Sequence, residues 1–263
     1  MKKKKKFIAY VLINCIFCFS FCFGQNSDFL KGEDLFRQNK PEEAIPFLVK
    51  AVKDGADSKA YIYLALAYYQ TKNYNEALAV CNEGMNVPDA NQKIIAYNAG
   101  NIAFSMGNYS DAEQWYTIAI AADEVYASPV LNRANARLRA GKYGESREDY
   151  IKYLELAPDT EQRPQIEKII GLIDVEVERM QRENPAQALI IQTGNGGIGG
   201  LGGAGTSQAA ARQAEADRLA REEEERKRRL LEDVAASLQG TTTENMSAGA
   251  EGTVGYGYES ELE

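Results

Sequence analysis

Histidine is absent from the 263 residues of the chain. Its absence excludes a Ser/His/Asp or Cys/His nucleophile system, removes imidazole as a metal ligand, and leaves no side chain that ordinarily titrates near neutrality. Cysteine is scarce: of four, Cys15, Cys18 and Cys22 fall within the first 24 residues. Only Cys81 follows, so a chain without that leading stretch has no internal disulfide to form, even in an oxidising compartment. Cys81 occupies an apolar position of a helical pattern, where an inert buried thiol is expected. Positive charge is also in deficit, with 30 Lys and Arg against 38 Asp and Glu and a formal net charge of −8. That balance argues against a nucleic-acid partner, because affinity for phosphate needs a clustered cationic surface. No metal-ligand spacing and no nucleophile constellation emerges, so no catalytic residue, metal or cofactor is expected and the chain is read as not an enzyme.

The chain opens on MKKKKKFIAYVLINCIFCFSFCFG, a basic run and then an apolar stretch broken only by Asn14 and Ser20. This is the layout of an export signal, with Cys22 and Gly24 small enough for the −3 and −1 positions and cleavage before Gln25. Two other readings stay open. The apolar run is long enough as a helix, roughly 27 Å, to serve as an uncleaved anchor. Leu12-Ile13-Asn14-Cys15 also has the form of a relaxed lipoprotein box. Export to the periplasm is the expected localisation, with membrane association only through residues 1–24.

Beyond that segment one phrase recurs. NKPEEAIPFLVKAV starts at Asn39, KNYNEALAVCNEGM at Lys72, GNYSDAEQWYTIAI at Gly107 and GKYGESREDYIKYL at Gly141, with spacings of 33, 35 and 34 residues. A fixed period of this size is the mark of stacked supersecondary units. Each unit divides into two helical patterns around a short turn. Gly32, Ala65, Gly100 and Ala134 recur in the first helix, and Ala44, Ala77, Ala112 and Ser146 in the second, small enough for the two helices to approach closely. Leu48, Tyr116 and Tyr150, each four residues after that second small position, fill the space between. One helix pair cannot bury its apolar face alone, so the units must stack on a shared core. The expected fold class is therefore all-α: a solenoid of about four helix-turn-helix repeats with a C-terminal capping helix.

These residues resemble the tetratricopeptide repeat family. The family pattern W-x2-L-G-x2-Y…A-x3-F…P stands here as Tyr61-x2-Leu64-Ala65-x2-Tyr68…Ala77-x3-Cys81 in the second unit and as Ala134…Ser146-x3-Tyr150…Pro158 in the fourth. Arg133 and Arg137 depart from it where apolar residues belong, and Pro46 interrupts a second helix. The repeats are expected at about 25–57, 58–92, 93–126 and 127–160 within a domain of 25–183. Ile166, Ile170, Ile173, Val177 and Met180 share one face of a capping helix over 162–182.

A Gly-rich linker is expected at 184–207. Its Gly194, Gly196 and Gly199 spell a literal G-x-G-x-x-G, but no βαβ context surrounds them. Residues 208–239 favour a lone charged helix in which Glu222 to Glu225 precede Arg226 to Arg229 at the favourable i, i+4 spacing. Leu230, Val234 and Leu238 form a short apolar edge on it, shaped to dock in a partner's groove or pair with another copy, and too short for a stable coiled coil alone. An acidic, disordered tail is expected at 240–263.

The resemblance implies a non-catalytic scaffold whose first helices line a groove that holds a protein or peptide. Family positions carried onto this chain select Phe36 and Arg37 in the first unit, beside Phe29. In the second they select Tyr63 and Tyr69, beside Lys59 and Gln70. The third contributes Tyr97, Asn98, Asn101 and Phe104, and the fourth Asn132, Asn135 and Arg139. An asparagine amide both donates and accepts, so these four asparagines are suited to hold a polypeptide backbone. The alternative is a structural subunit of an envelope complex in which the charged helix makes the main contact.

Overall fold

Left-handed backbone recurs at one place in every repeated phrase. Asn39 and Lys72 have φ of 59° and 60°, and Gly107 and Gly141 have 79° and 78°. All four are the first residue of their phrase, and each closes a helix with the paired hydrogen bonds of a Schellman end. Gly107 N donates to Phe104 O at 2.9 Å and Asn108 N to Ala103 O at 2.9 Å, while Lys72 N donates to Tyr69 O at 3.0 Å and Asn73 N to Tyr68 O at 2.8 Å. The chain then reverses and the next helix begins within two residues, so each phrase is the turn and second arm of a helical hairpin.

The computed structural model describes residues 27–88, 90–183 and 206–238, and among them the regular structure is helical, with no strand. The chain forms two compact units, one running to Glu124 and the other starting at Val125. The first unit contains α1 (27–37), α2 (Pro41–Lys53), α3 (Ser58–Gln70), α4 (Tyr74–Gly84), α5 (Gln92–Ser105) and α6 (Tyr109–Ala122). Here α3 packs on α2, α4 and α5, and α5 packs on α4 and α6. Both α3 and α5 are apolar on nearly every side and are buried accordingly, from Ile62 to Ala67 and from Ile94 to Gly100. The second unit contains α7 (Ala127–Arg139), α8 (Tyr143–Leu156), α9 (Arg163–Glu183) and α10 (Thr206–Leu238). Helix α8 packs on α7 and α9, and α10 lies along α9.

The recurring small residues set how closely paired helices approach. A Cβ at Gly100 would lie 2.4 Å from Tyr116 Cε1, and one at Gly32 would lie 2.6 Å from Leu48 Cγ. The ring therefore takes the volume that the glycine vacates, and it also brings a hydroxyl. Tyr116 Oη donates to Asn101 Oδ1 at 2.8 Å, and one repeat later Tyr150 Oη donates to Asn135 Oδ1 at 2.6 Å. In the fourth repeat the close approach becomes polar, with Ser146 Oγ donating to Ala134 O at 2.8 Å. Helix α2 runs through Pro46, without the hydrogen bond that proline cannot donate.

The capping helix α9 buries Ile166, Ile169 and Ile173 completely. Its inward face is thus turned from the one drawn through Ile170, Val177 and Met180, which are only partly covered. The three isoleucines are spaced three and four residues apart, so one stripe serves the contact. The expected leader at 1–24 lies outside the described residues. So do the expected tail at 240–263 and the linker at 184–207, apart from Thr206 and Ser207, which open α10.

Candidate peptide-binding face

The face expected to bind a polypeptide is built from the first helix of each hairpin. In the first unit Phe36 and Tyr63 are buried, and Phe29 and Phe36 both meet the Tyr63 ring edge-on, with centroids 5.9 and 5.5 Å away. Arg37 ties this cluster across two repeats. Its Nη2 donates to Tyr63 Oη at 2.9 Å and pairs with Glu33 Oε1 at 3.2 Å. A second tie across repeats joins Tyr69 Oη and Ser105 Oγ at 2.8 Å. Arg37, Tyr69, Lys59 and Gln70 keep partial exposure.

The third repeat places its candidates deeper. Tyr97 and Phe104 are buried and packed on Tyr116 and Tyr109, with centroid distances of 6.1 and 5.3 Å. Half-buried Asn101 gives its carbonyl oxygen to Tyr116. These three side chains hold the hairpin together, a role that face assignment by helical period does not separate from ligand contact. Asn98, one turn before Asn101, differs. It is 2% exposed, and both its Oδ1 and Nδ2 are buried without a hydrogen-bond partner. Gln70 Oε1 is a further buried acceptor without one. A buried polar group left unanswered costs about 1–3 kcal/mol.

In the second unit Asn132 and Asn135 are buried and Arg139 is half-buried. The carbonyl oxygen of Asn135 serves Tyr150, and its Nδ2 has no hydrogen-bond partner. Arg133 and Arg137, which break the apolar pattern of α7, converge on Asp149 of α8. Arg133 Nε and Nη2 bind the two carboxylate oxygens at 2.9 and 2.8 Å, and Arg137 Nη1 binds Oδ2 at 2.8 Å. Asp149 is 4% exposed. Sequence reasoning flagged the two arginines and missed the carboxylate. The available signal was an aspartate just before Tyr150, on the buried side of α8.

The apolar edge of α10 is engaged within the chain. Leu230 and Val234 are buried where α10 lies along α9, and the side chain of Leu238 lies outside the described residues. Tyr143, at the start of α8, is pushed up to about 12 by burial, reinforced by Glu176 of α9 and Glu223 of α10. Arg139 and α10, through Arg221, Lys227 and Leu231 among others, line a cleft of about 780 Å³. Burial alone pushes the Cys81 thiol up to about 12, so it stays protonated and unreactive at neutral pH. Among the described residues no cluster of His, Cys, Asp and Glu is placed to hold a metal, and no helix is long and apolar enough to cross a membrane.

Hairpins of this geometry match a family model described as tetratricopeptide repeat over residues 29–91 and 97–161. The chain belongs to the tetratricopeptide repeat family. Among curated proteins it is similar to RNA polymerase II-associated protein 3 of Rattus norvegicus, 30% identical over 92 residues, which are 35% of this chain and 14% of that protein. The Homo sapiens protein of that name is 24% identical over 132 residues, 48% of this chain and 20% of that one. The match therefore spans a fifth or less of either relative. Among solved structures, MamA 41-end from Desulfovibrio magneticus superposes with a TM-score of 0.52 at 15% identity, over 66% of this chain and 98% of that one. A tetratricopeptide repeat protein from Parabacteroides merdae gives 0.52 at 13% identity, over 84% and 95%. Both share the fold of tetratricopeptide hairpins described above.

Proposed function

We propose that this tetratricopeptide repeat protein is a non-catalytic scaffold that binds an extended polypeptide on the first-helix face of its hairpins. Tetratricopeptide repeats are in general interaction modules without catalysis, and the chain has no histidine with which to build the common acid–base sites. The observation that carries the proposal is Asn98. Its amide nitrogen, a donor, and its carbonyl oxygen, an acceptor, are both unanswered, and a peptide unit presents the complementary pair. Engagement requires a rim side chain to turn aside, because the amide is covered in the free structure. Half-exposed Tyr69 and Arg37 supply an aromatic surface and a cation at the rim of the same unit.

A near-isosteric Asn98→Leu substitution separates binding from folding. It removes two unmet polar groups from the interior, so the variant unfolds at a temperature several degrees higher. Calorimetric titration with peptides selected on the full chain from a random library reads the other side: affinity falls about tenfold or more. Unchanged peptide affinity in a correctly folded variant sinks the proposal. The proposed setting is the cell envelope, on the strength of the basic and apolar residues at 1–24. The mass of the mature N terminus tests that point, with a start at Gln25 expected.

A further inference from the structure

The two charge blocks of α10 mirror one another. Residues 222–225 are all glutamate, and Arg226, Lys227, Arg228 and Arg229 follow at once. A second copy of this helix laid antiparallel about a two-fold axis between Glu224 and Glu225 would set Glu222 and Glu223 against the other's Lys227 and Arg226, a self-complementary contact in which each pair forms twice. The match extends to individual layers. Leu219, Glu223, Arg226 and Leu230 follow one another at spacings of four, three and four, the step of a coiled-coil seam. Inversion about the point between Glu224 and Glu225 sets Leu219 opposite Leu230 of the second copy and Glu223 opposite its Arg226.

In the present structure this seam is only half used. Leu230 is buried along α9, but Leu219, on the same side of the helix, is 50% exposed. Arg226 Nε is buried without a hydrogen-bond partner, while Glu223 stands in solvent. Every side chain from Asp217 to Glu225 is exposed, so this stretch of α10 has no cover. Along the helix the basic block makes long, solvent-exposed pairs, Arg229 with Glu225 at 3.7 Å and Arg228 with Glu232 at 3.6 Å. Such pairs contribute little in water, so little is lost when they exchange partners.

We propose that α10 is a self-association element that leaves its seat on α9 to pair antiparallel with α10 of a second copy of this chain. The paired state has layers of Leu219 with Leu230 and of Glu223 with Arg226, each formed twice. It gives the Arg226 guanidinium a carboxylate and covers Leu219. The seat on α9 and the pair both bury Leu230, so a docked α10 is monomeric and an undocked one dimerises. This inference stands apart from the peptide-binding reading, since none of these residues lies on the first helices of the hairpins.

Light scattering on the full chain, over about 1 to 100 µM, tests it. The molar mass is expected to rise from 29.1 kDa toward twice that value with concentration. Glu223→Arg alone and Arg226→Glu alone each weaken the dimer about tenfold or more, and the double exchange restores it, because the pair is then re-formed with signs reversed. Leu219→Asp abolishes it. Glu223 and Leu219 are exposed, so those two variants read pairing without disturbing the fold, and circular dichroism checks that Arg226→Glu keeps its helix. A mass that stays at one chain throughout, association indifferent to all three variants, or a double exchange that fails to restore the dimer each overturns the proposal.

Discussion

A single carboxylate, Asp149, answers two arginines in a largely buried polar cluster of the second unit. With side chains only 16% and 17% exposed, Arg133 and Arg137 would lose the carboxylate that both of them bind if it were removed. Asp149→Ala is expected to cost about 3–5 kcal/mol of stability, read as a lower denaturant midpoint, whereas loss of an exposed pair such as Lys152 with Glu155 is expected to go nearly unnoticed. Cys81 gives a second expectation at this scale. Its folded pKa is raised by burial to about 12, above the unfolded value of about 8.5, so the folded state holds the proton more tightly. Stability from this group is complete below about pH 8.5 and falls as pH climbs toward the folded value, by up to about 1.4 kcal/mol per unit. Chemical denaturation at a series of pH values from 8 to 10, below the range in which buried Tyr143 adds the same dependence, is expected to show that slope, and Cys81→Ala is expected to flatten it from a lower starting stability.

Helical hairpins are the unit in which the chain is readable. Their turns demand left-handed backbone, which glycine supplies freely and asparagine at modest cost, so three of the four could be placed from residue type alone. Lys72 holds the same conformation without either advantage. Lys72→Gly is accordingly expected to stabilise the protein by about 1 kcal/mol, measured as a rise in the thermal midpoint, where a glycine placed inside α3 would do the reverse. The all-helical class, the hairpin repeats and the small residues at close approach were legible because sterics fixes them within a few residues of sequence. What covers each polar side chain was not. Arg133 and Arg137 look like faults when α7 is read by itself, and their partner lies 16 and 12 residues away on another helix. Asn98 and Asn101 are one turn apart with the same chemistry, but Tyr116 reaches only the second. Likewise the apolar edge at Leu230 and Val234 was visible, and its seat on α9 was not, since helical period names a face without naming its neighbour.

At the scale of the whole molecule, the hairpins repeat one kind of first-helix face, and the proposed reading rests on Asn98, whose amide is unmet at both its oxygen and its nitrogen. Most of the aromatics assigned to that surface are buried packing: Phe36 and Tyr63 between hairpins, and Tyr97 and Phe104 between the two arms of their own. On the proposed reading, the chemistry offered to a ligand is narrower than the family pattern implies: an amide in the third repeat, with half-exposed groups on the repeats before it. Recognition built this way reads backbone more than side chain, which suits a scaffold that holds extended segments of varied sequence. The most direct test follows the Asn98 side-chain amide itself by nuclear magnetic resonance, titrating a selected peptide into labelled full-length protein. The account predicts that its two proton signals shift and become protected from exchange as the peptide saturates. A peptide that binds stoichiometrically while those signals stay where they were, with the same exchange rate, would contradict it.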